Sequence, residues 1–214
     1  MNIRTRILIV DDHPLMRKGL AQLLSLEQDF NVIGEAASGQ EALQFVQREK
    51  PDLVILDLNM AGMNGIQTLS ALHDVGCTAR IIVYTVSDNH EDLSRALRAG
   101  ADGYLLKDME PESLIDAIRE TLDGQVTVSP QLTSAMARAL RDNATPALDL
   151  SSLTDREQQI LQLIAEGQSN KRIARSLDIA EATVKVHVKH LLKKLNMHSR
   201  VEAAIWVVQQ RRET

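Results

Sequence analysis

The sequence has 214 residues, room for two domains, with 44% hydrophobic and 25% charged side chains, the balance of an ordinary globular chain. Its single cysteine, Cys77, excludes intramolecular disulfides and cysteine-based zinc sites. The net charge of −5 is unevenly placed: residues 1–150 hold 13 Lys+Arg against 22 Asp+Glu, while residues 151–214 hold 11 against 7, so only the second part suits a polyanionic partner.

The chain opens with "MNIRTRILIVDDHP", a short apolar run broken at once by two aspartates. That is neither a signal peptide nor a membrane span, so a cytoplasmic protein is expected. Ile7–Val10 reads as a strand, followed by helical spacing over Leu15–Leu26. Four more strands are predicted at Val32–Glu35, Leu53–Leu56, Ile81–Tyr84 and Gly103–Leu106. Helical patterns follow them at Glu41–Arg48, Ile66–His73, Leu93–Ala99 and Glu112–Leu122. Five strand-helix repeats argue for an α/β, doubly wound, five-stranded parallel sheet of the flavodoxin-like kind. A first domain over residues 1–123 is therefore expected.

From Gly124 the pattern weakens. Residues 124–150 read as a linker, with a helix predicted over Leu132–Arg141 and turn formers after it. Then "LTDREQQILQLIAEG" opens with Thr154 and Glu157 at capping-box spacing and closes on Gly167. Helices are predicted at Asn170–Leu177, Glu181–Leu195 and Arg200–Arg211, the last with Ser199 and Glu202 as a second capping box. No strand pattern occurs here, so residues 151–214 form a small all-α domain.

In an open parallel sheet, ligands gather at the carboxyl ends of the strands. Asp11 and Asp12 end the first predicted strand, Asp57 the third, Thr85 the fourth and Lys107 the fifth. Three carboxylates on one rim repel one another and imply a cation. Hard oxygen ligands without cysteine or histidine favour Mg²⁺. With a metal and an ammonium beside it, Asp57 can stay ionised and attack phosphorus, while Lys107 neutralises the transferred phosphoryl group and Thr85 donates to it. A phosphatase of the haloacid-dehalogenase type would need a second aspartate two positions on, where this chain has Asn59.

In "EATVKVHVKHLLKKL", Val184, Val188, Leu191 and Leu195 form one apolar stripe. Lys185, Lys189 and Lys193 share the opposite side with Ala182 and Val186. A plain solvated helix explains the lysines but not a valine among them. In a major groove, a small aliphatic group meets a thymine methyl while lysines reach phosphates and guanine edges. The helix Asn170–Leu177, a short "DIA" turn and this helix have helix-turn-helix spacing.

These residues carry a resemblance. "ILIVDDHP", "VILDLNMAGMNG", "IIVYTVS" and "GADGYLLKD" resemble the receiver domain of two-component response regulators over about residues 5–123. The resemblance implies that Asp57 accepts a phosphoryl group from a sensor histidine kinase. It also implies that Asp11, Asp12, Asp57 and the backbone carbonyl of Asn59 hold Mg²⁺. Thr85 and Tyr104 would be a switch pair drawn inward on phosphorylation, with Lys107 as counter-ion. Ala61, Val86 and Asp108 depart from the common pattern, in which proline, a smaller residue and proline stand at those positions.

Residues 153–204 similarly resemble the LuxR-type helix-turn-helix, so the whole chain looks like a NarL/FixJ-type response regulator with details similar to its nitrate/nitrite-responsive members. Such a chain would be a phosphorylation-controlled transcription factor and not a turnover enzyme. It would bind double-stranded promoter DNA as a homodimer, with no membrane partner. Lys185, Val186 and Lys189 would meet base edges, and Ser169, Asn170, Lys171 and Lys193 the DNA backbone. The terminal helix, with Val201, Ala204, Ile205 and Val208, would be both core and dimer face.

Overall fold

The structure, a computed structural model, describes residues 4–133 and 153–213 apart from residues 196 and 198. The predicted helix over Leu132–Arg141 and the turn-rich segment after it lie almost wholly outside the described residues.

The first unit alternates strand and helix as its hydrophobic periods require: β1 Thr5–Val10, α1 Pro14–Ser25, β2 Phe30–Ala36, α2 Gly39–Arg48 and β3 Leu53–Leu56. It continues with α3 Gly65–Asp74, β4 Arg80–Thr85, α4 His90–Arg98, β5 Gly103–Leu106 and α5 Pro111–Leu122. The helix starts are set by local chemistry. Ser38, Asn64 and Asn89 each accept a backbone N–H of the first turn, and Pro14 and Pro111 sit where no intrahelical donor is needed.

All strands run parallel, in the order β2-β1-β3-β4-β5-β6. All five expected strands are present, and a sixth, β6 at Thr127–Val128, extends the sheet by one short edge strand. It has only two residues, too few for an alternation to be read, and it is fixed by pairing with Gly103 and Tyr104 of β5. One face of the sheet packs on α2, α3 and α4 through Ala42, Leu69, Leu72, Leu93 and Leu97. The other packs on α1 and α5 through Leu20, Leu24, Leu114, Ile115 and Ile118. With both faces covered, β3 is buried along its whole length, the reason its sequence is an unbroken aliphatic run.

The second unit is α6 Asp155–Ala165, α7 Asn170–Leu177, α8 Glu181–Lys194 and α9 Arg200–Glu213. Thr154 and Glu157 form the expected capping box. Burial alone would raise the Glu157 carboxyl, but Lys194, 2.6 Å away, and the Thr154 donors leave it below its ordinary value. Val184, Val188, Leu191 and Leu195 face inward with Ile160, Ile164, Ile173 and Trp206, a core separate from the two sheet layers. Val201 is the exception: the first turn of α9 packs it into the sheet-side core of the first unit. Among the described residues, no helix is long and apolar enough to cross a membrane.

Candidate functional site

The strand order reverses direction on either side of β1, so the carboxyl ends of β1 and β3 flank the crevice where doubly wound sheets bind ligands. Asp11 follows β1 and Asp57 follows β3; their backbone N–H groups donate to Ala36 and Val10, prolonging the ladder by one residue. Gly65 keeps the returning chain close, because a Cβ there would lie 2.3 Å from the Asp57 carbonyl oxygen. Lys107, just beyond β5, places Nζ 2.7 Å from Asp11 Oδ2 and 2.8 Å from Asp57 Oδ2. Burial by itself would depress this ammonium, but the two carboxylates more than offset it and leave Lys107 raised. A lysine raised in this way contributes stability that is lost, on the alkaline side, only as pH climbs through its folded value, above the ordinary lysine range.

Asp11, Asp12, His13 and Asp57 bring one potential ligand atom each within 4.8 Å of one another. Three carboxylates and one ammonium leave a net charge of −2. Asp12 Oδ2 accepts from the Ala61 N–H, while Asp12 Oδ1 is buried with no hydrogen-bond donor. His13 Nδ1 approaches that oxygen to 2.8 Å, but without the alignment of a hydrogen bond. A buried, donor-less oxygen among hard ligands fits a divalent cation. Asn59, two residues past Asp57, turns its N–H toward Asp57 Oδ1 at 3.3 Å. His13 is the member that the strand-end argument missed; its adjacency to Asp12 was the available signal.

Thr85 and Tyr104 are both fully buried. Thr85 Oγ1 accepts the Ser87 N–H, and the Tyr104 hydroxyl donates to the Ser87 carbonyl at 2.9 Å. Burial pushes the Tyr104 phenol up to about 12, so it stays a neutral donor. In this structure Tyr104 points inward, held by the Ser87 carbonyl. Val86 is 69% exposed beside them. All peptide bonds among the described residues are trans, including the one joining Lys107 to Asp108.

In the second unit, Val186 is 51% exposed between Lys185 and Lys189. The expected backbone-contact residues divide. Lys171 and Lys193 are exposed, but Ser169 is buried and Asn170 only 1% exposed. In this arrangement Ser169 and Asn170 cannot reach a duplex. Ser169 caps α7, and the Asn170 N–H donates to the Asp123 carbonyl of the first unit at 3.3 Å.

Arg200, 3% exposed, donates to Asn170 Oδ1 and to the Gln168 carbonyl. Burial, with Arg80 nearby, holds its guanidinium down to about 10, and Asp102 opposes that only partly because it is already bonded to Arg80. Gly124 makes this approach possible: it has φ +81°, and a Cβ on it would stand 2.6 Å from Arg200 Nη1. Beside this seat, Lys185, Lys189 and Lys193 of α8 line a cleft of about 690 Å³ whose other wall holds Asp52, His73, Arg80 and Asp102. The two units therefore meet at the amino-terminal edge of the sheet, the pole opposite Asp57.

The fold and rim define a class: a receiver unit with an acidic, lysine-bridged strand-end pocket, joined to a helix-turn-helix unit. Residues 7–119 match the response regulator receiver domain family, and residues 151–207 match the bacterial regulatory proteins of the luxR family. The nitrate/nitrite response regulator protein NarL of Escherichia coli (strain K12) is 52% identical over 206 residues, 96% of this chain and 95% of that one. NarP of the same strain is 47% identical over 206 residues, with the same shares covered. The crystal structure of the response regulator ChrA, from a heme-sensing two-component system, aligns with 34% identity and a TM-score of 0.53 over 99% of both chains. The chain belongs to the two-component response regulators with a LuxR-type DNA-binding domain.

Removing the bridging ammonium leaves Asp11 and Asp57 facing each other in a buried crevice. In EDTA, Lys107→Met is expected to destabilise the first unit by roughly 3 kcal/mol, read by urea melts, because a buried charge group loses its partner. A melt no different from wild type would show that the carboxylates are held by something else.

Proposed function

We propose that this chain is a phosphorylation-controlled transcription factor: a sensor histidine kinase phosphorylates Asp57, and the chain then binds promoter DNA as a homodimer. The reading is carried by the rim, where a nucleophilic carboxylate, two further carboxylates and an ammonium converge from three strand ends. Asp57 attacks the phosphorus of a phosphohistidine; the P–N bond breaks, the imidazole leaves, and an acyl phosphate forms on Asp57. Lys107 exchanges part of its carboxylate pairing for the phosphoryl oxygens, and Thr85 supplies a hydroxyl on the same side. Asp11, Asp12, Asp57 and the Asn59 carbonyl hold Mg²⁺, which when bound offsets the negative charge of the incoming group. Thr85 and Tyr104 act as the switch pair through the Ser87 loop rather than by a large inward swing. A stoichiometric acceptor of this kind is not a turnover enzyme.

On the output side, Lys185, Val186 and Lys189 meet base edges, and Lys171 and Lys193 meet phosphates. Ser169 and Asn170 join them only after leaving their seat on Asp123 and Gly124. The receiver stands across a narrow cleft from Lys185, Lys189 and Lys193, so these side chains are solvent-exposed but a duplex is obstructed there, and phosphorylation shifts the population toward an open form. Once α9 is free, its outer residues serve as the dimer face on two half-sites. The likeness to NarL and NarP favours nitrate- or nitrite-responsive genes and a cytoplasmic location.

Asp57→Asn should abolish labelling by acetyl phosphate on a phosphate-binding gel, since an amide is a poor nucleophile toward phosphorus. Excess EDTA should abolish labelling of the wild type as well. Equal labelling in either case would place the acceptor or the charge compensation elsewhere.

Val186→Ala is expected to cost about 1–3 kcal/mol at the specific site and much less on random DNA, whereas Lys189→Ala weakens both. Equal losses on both DNAs for Val186→Ala, by anisotropy at one salt concentration, would rule out base reading by that residue.

Masking predicts that an isolated 151–214 fragment binds DNA more tightly than the unphosphorylated full chain, and that phosphorylation narrows the difference. Gly124→Ala should act like phosphorylation, raising the affinity of the unphosphorylated full chain by about tenfold, or 1.4 kcal/mol. Identical affinities for fragment, Gly124→Ala chain and unphosphorylated wild type would remove the masking step and leave the phosphoacceptor assignment standing.

A further inference from the structure

The proposed cation site depends on the relative placement of Asp11 and Asp12, two successive residues just past the end of β1. Each carboxylate has an anchor of its own: Asp11 Oδ1 accepts the His13 N–H and Oδ2 takes Lys107, while Asp12 Oδ2 accepts the Ala61 N–H. The peptide between them is a separate matter. The carbonyl of Val10 is used by Asp57, but the Asp11 carbonyl lies beyond the last residue of the strand and has no partner in the sheet. A planar peptide has one soft rotation at each flank, so an unheld Asp11 carbonyl would let the Asp12 side chain swing relative to Asp11.

Arg17 holds it. From the first turn of α1, its guanidinium donates through Nη1 to the Asp11 carbonyl oxygen. The side chain is largely buried, and Nε lies 3.4 Å from Glu35 Oε2, near the carboxyl end of β2. Lys18 approaches the other oxygen of Glu35 at 3.0 Å. The planar fork therefore ties three elements together, α1, the end of β1 and the end of β2, and a lysine cannot reproduce both contacts at once. Arg17 and Lys18 together neutralise Glu35.

We propose that Arg17 is a positioning residue for the divalent-cation site: by fixing the Asp11–Asp12 peptide it sets the spacing of the two carboxylates without itself touching the ion. The proposal rests on the reading of the rim as a cation site. Groups that orient metal ligands in this way commonly control affinity as strongly as a ligand does.

The test is Mn²⁺ binding to the full chain, followed by the electron paramagnetic resonance signal of free Mn²⁺, with circular dichroism melts in parallel. Arg17→Met should raise the Mn²⁺ Kd by about 10-fold while the fold is retained. Arg17→Lys should raise it by less. Should Arg17→Met fail to fold, Glu35→Gln, which leaves the carbonyl contact but loosens the fork, should still raise the Kd measurably. The Mg²⁺ concentration giving half-maximal acetyl phosphate labelling should move by the same factor, with labelling at saturating Mg²⁺ restored. An unchanged Mn²⁺ Kd in a folded Arg17→Met chain, or in Glu35→Gln when the first variant does not fold, would overturn the positioning role alone. Absence of Mn²⁺ binding by the wild type would overturn the cation reading and this inference together.

Discussion

Lys107 reaches across the crevice to Asp11 and Asp57 at hydrogen-bond distance, and the arrangement of the rim follows from that contact. Like charges confined to a crevice either take up protons, separate or acquire a counter-charge. A single ammonium supplied from the end of β5 spans two of the three carboxylates, and the sheet order puts β5 where its side chain can do so. The remaining charge of −2 and the donor-less Asp12 Oδ1 are what make the same crevice a fit for a divalent cation. Asp57 is thereby fixed in place, one oxygen on Lys107 and the other facing the Asn59 N–H.

The signalling geometry is polar in a literal sense. Asp57 lies at the carboxyl ends of the strands, whereas the DNA-binding unit is seated at their amino ends, on Asp123 and Gly124 and around the cleft that includes Asp52, Arg80 and Asp102. Any influence of Asp57 on the seat must cross the sheet. β3, β4 and β5 each link the two poles: Asp52 and Asp57 flank β3, Arg80 and Thr85 begin and end β4, and Asp102 and Lys107 flank β5. The seat contains a buried arginine, Arg200, whose pairing is left to neutral oxygens while the nearby carboxylate serves Arg80. A buried cation compensated only by neutral oxygens adds little net stability to the contact between the units.

Much of this was legible in the sequence because it is local. Aliphatic runs, helical periods and caps such as Ser38, Thr154 and Ser169 fix elements through contacts a few residues apart. The order of those elements along the chain, together with Asp11, Asp12, Asp57, Thr85 and Lys107 at the strand ends, was enough to bring the rim together. The exposure of Val186 was likewise readable from its place among lysines. β6 was not, because two residues carry no period and only pairing with β5 defines them.

Other features needed the tertiary structure outright. Asn170 looks like a DNA contact in the sequence and is buried against the receiver in the fold, since its exposure depends on a neighbour 47 positions away in the chain, Asp123. Tyr104 is inward because the Ser87 carbonyl comes to meet its hydroxyl, a fact of loop geometry. The same holds for Arg17, whose helical position says only that it lies in the first turn of α1, while its hold on the Asp11 carbonyl depends on where β1 stops. The sequence by itself determined which chemical groups are present and which strand end or helix face carries each, because those follow from short-range periodicity and steric preference. Only the tertiary structure decided which groups are paired, buried or masked, because burial and hydrogen bonding are set by partners that the chain brings together from a distance.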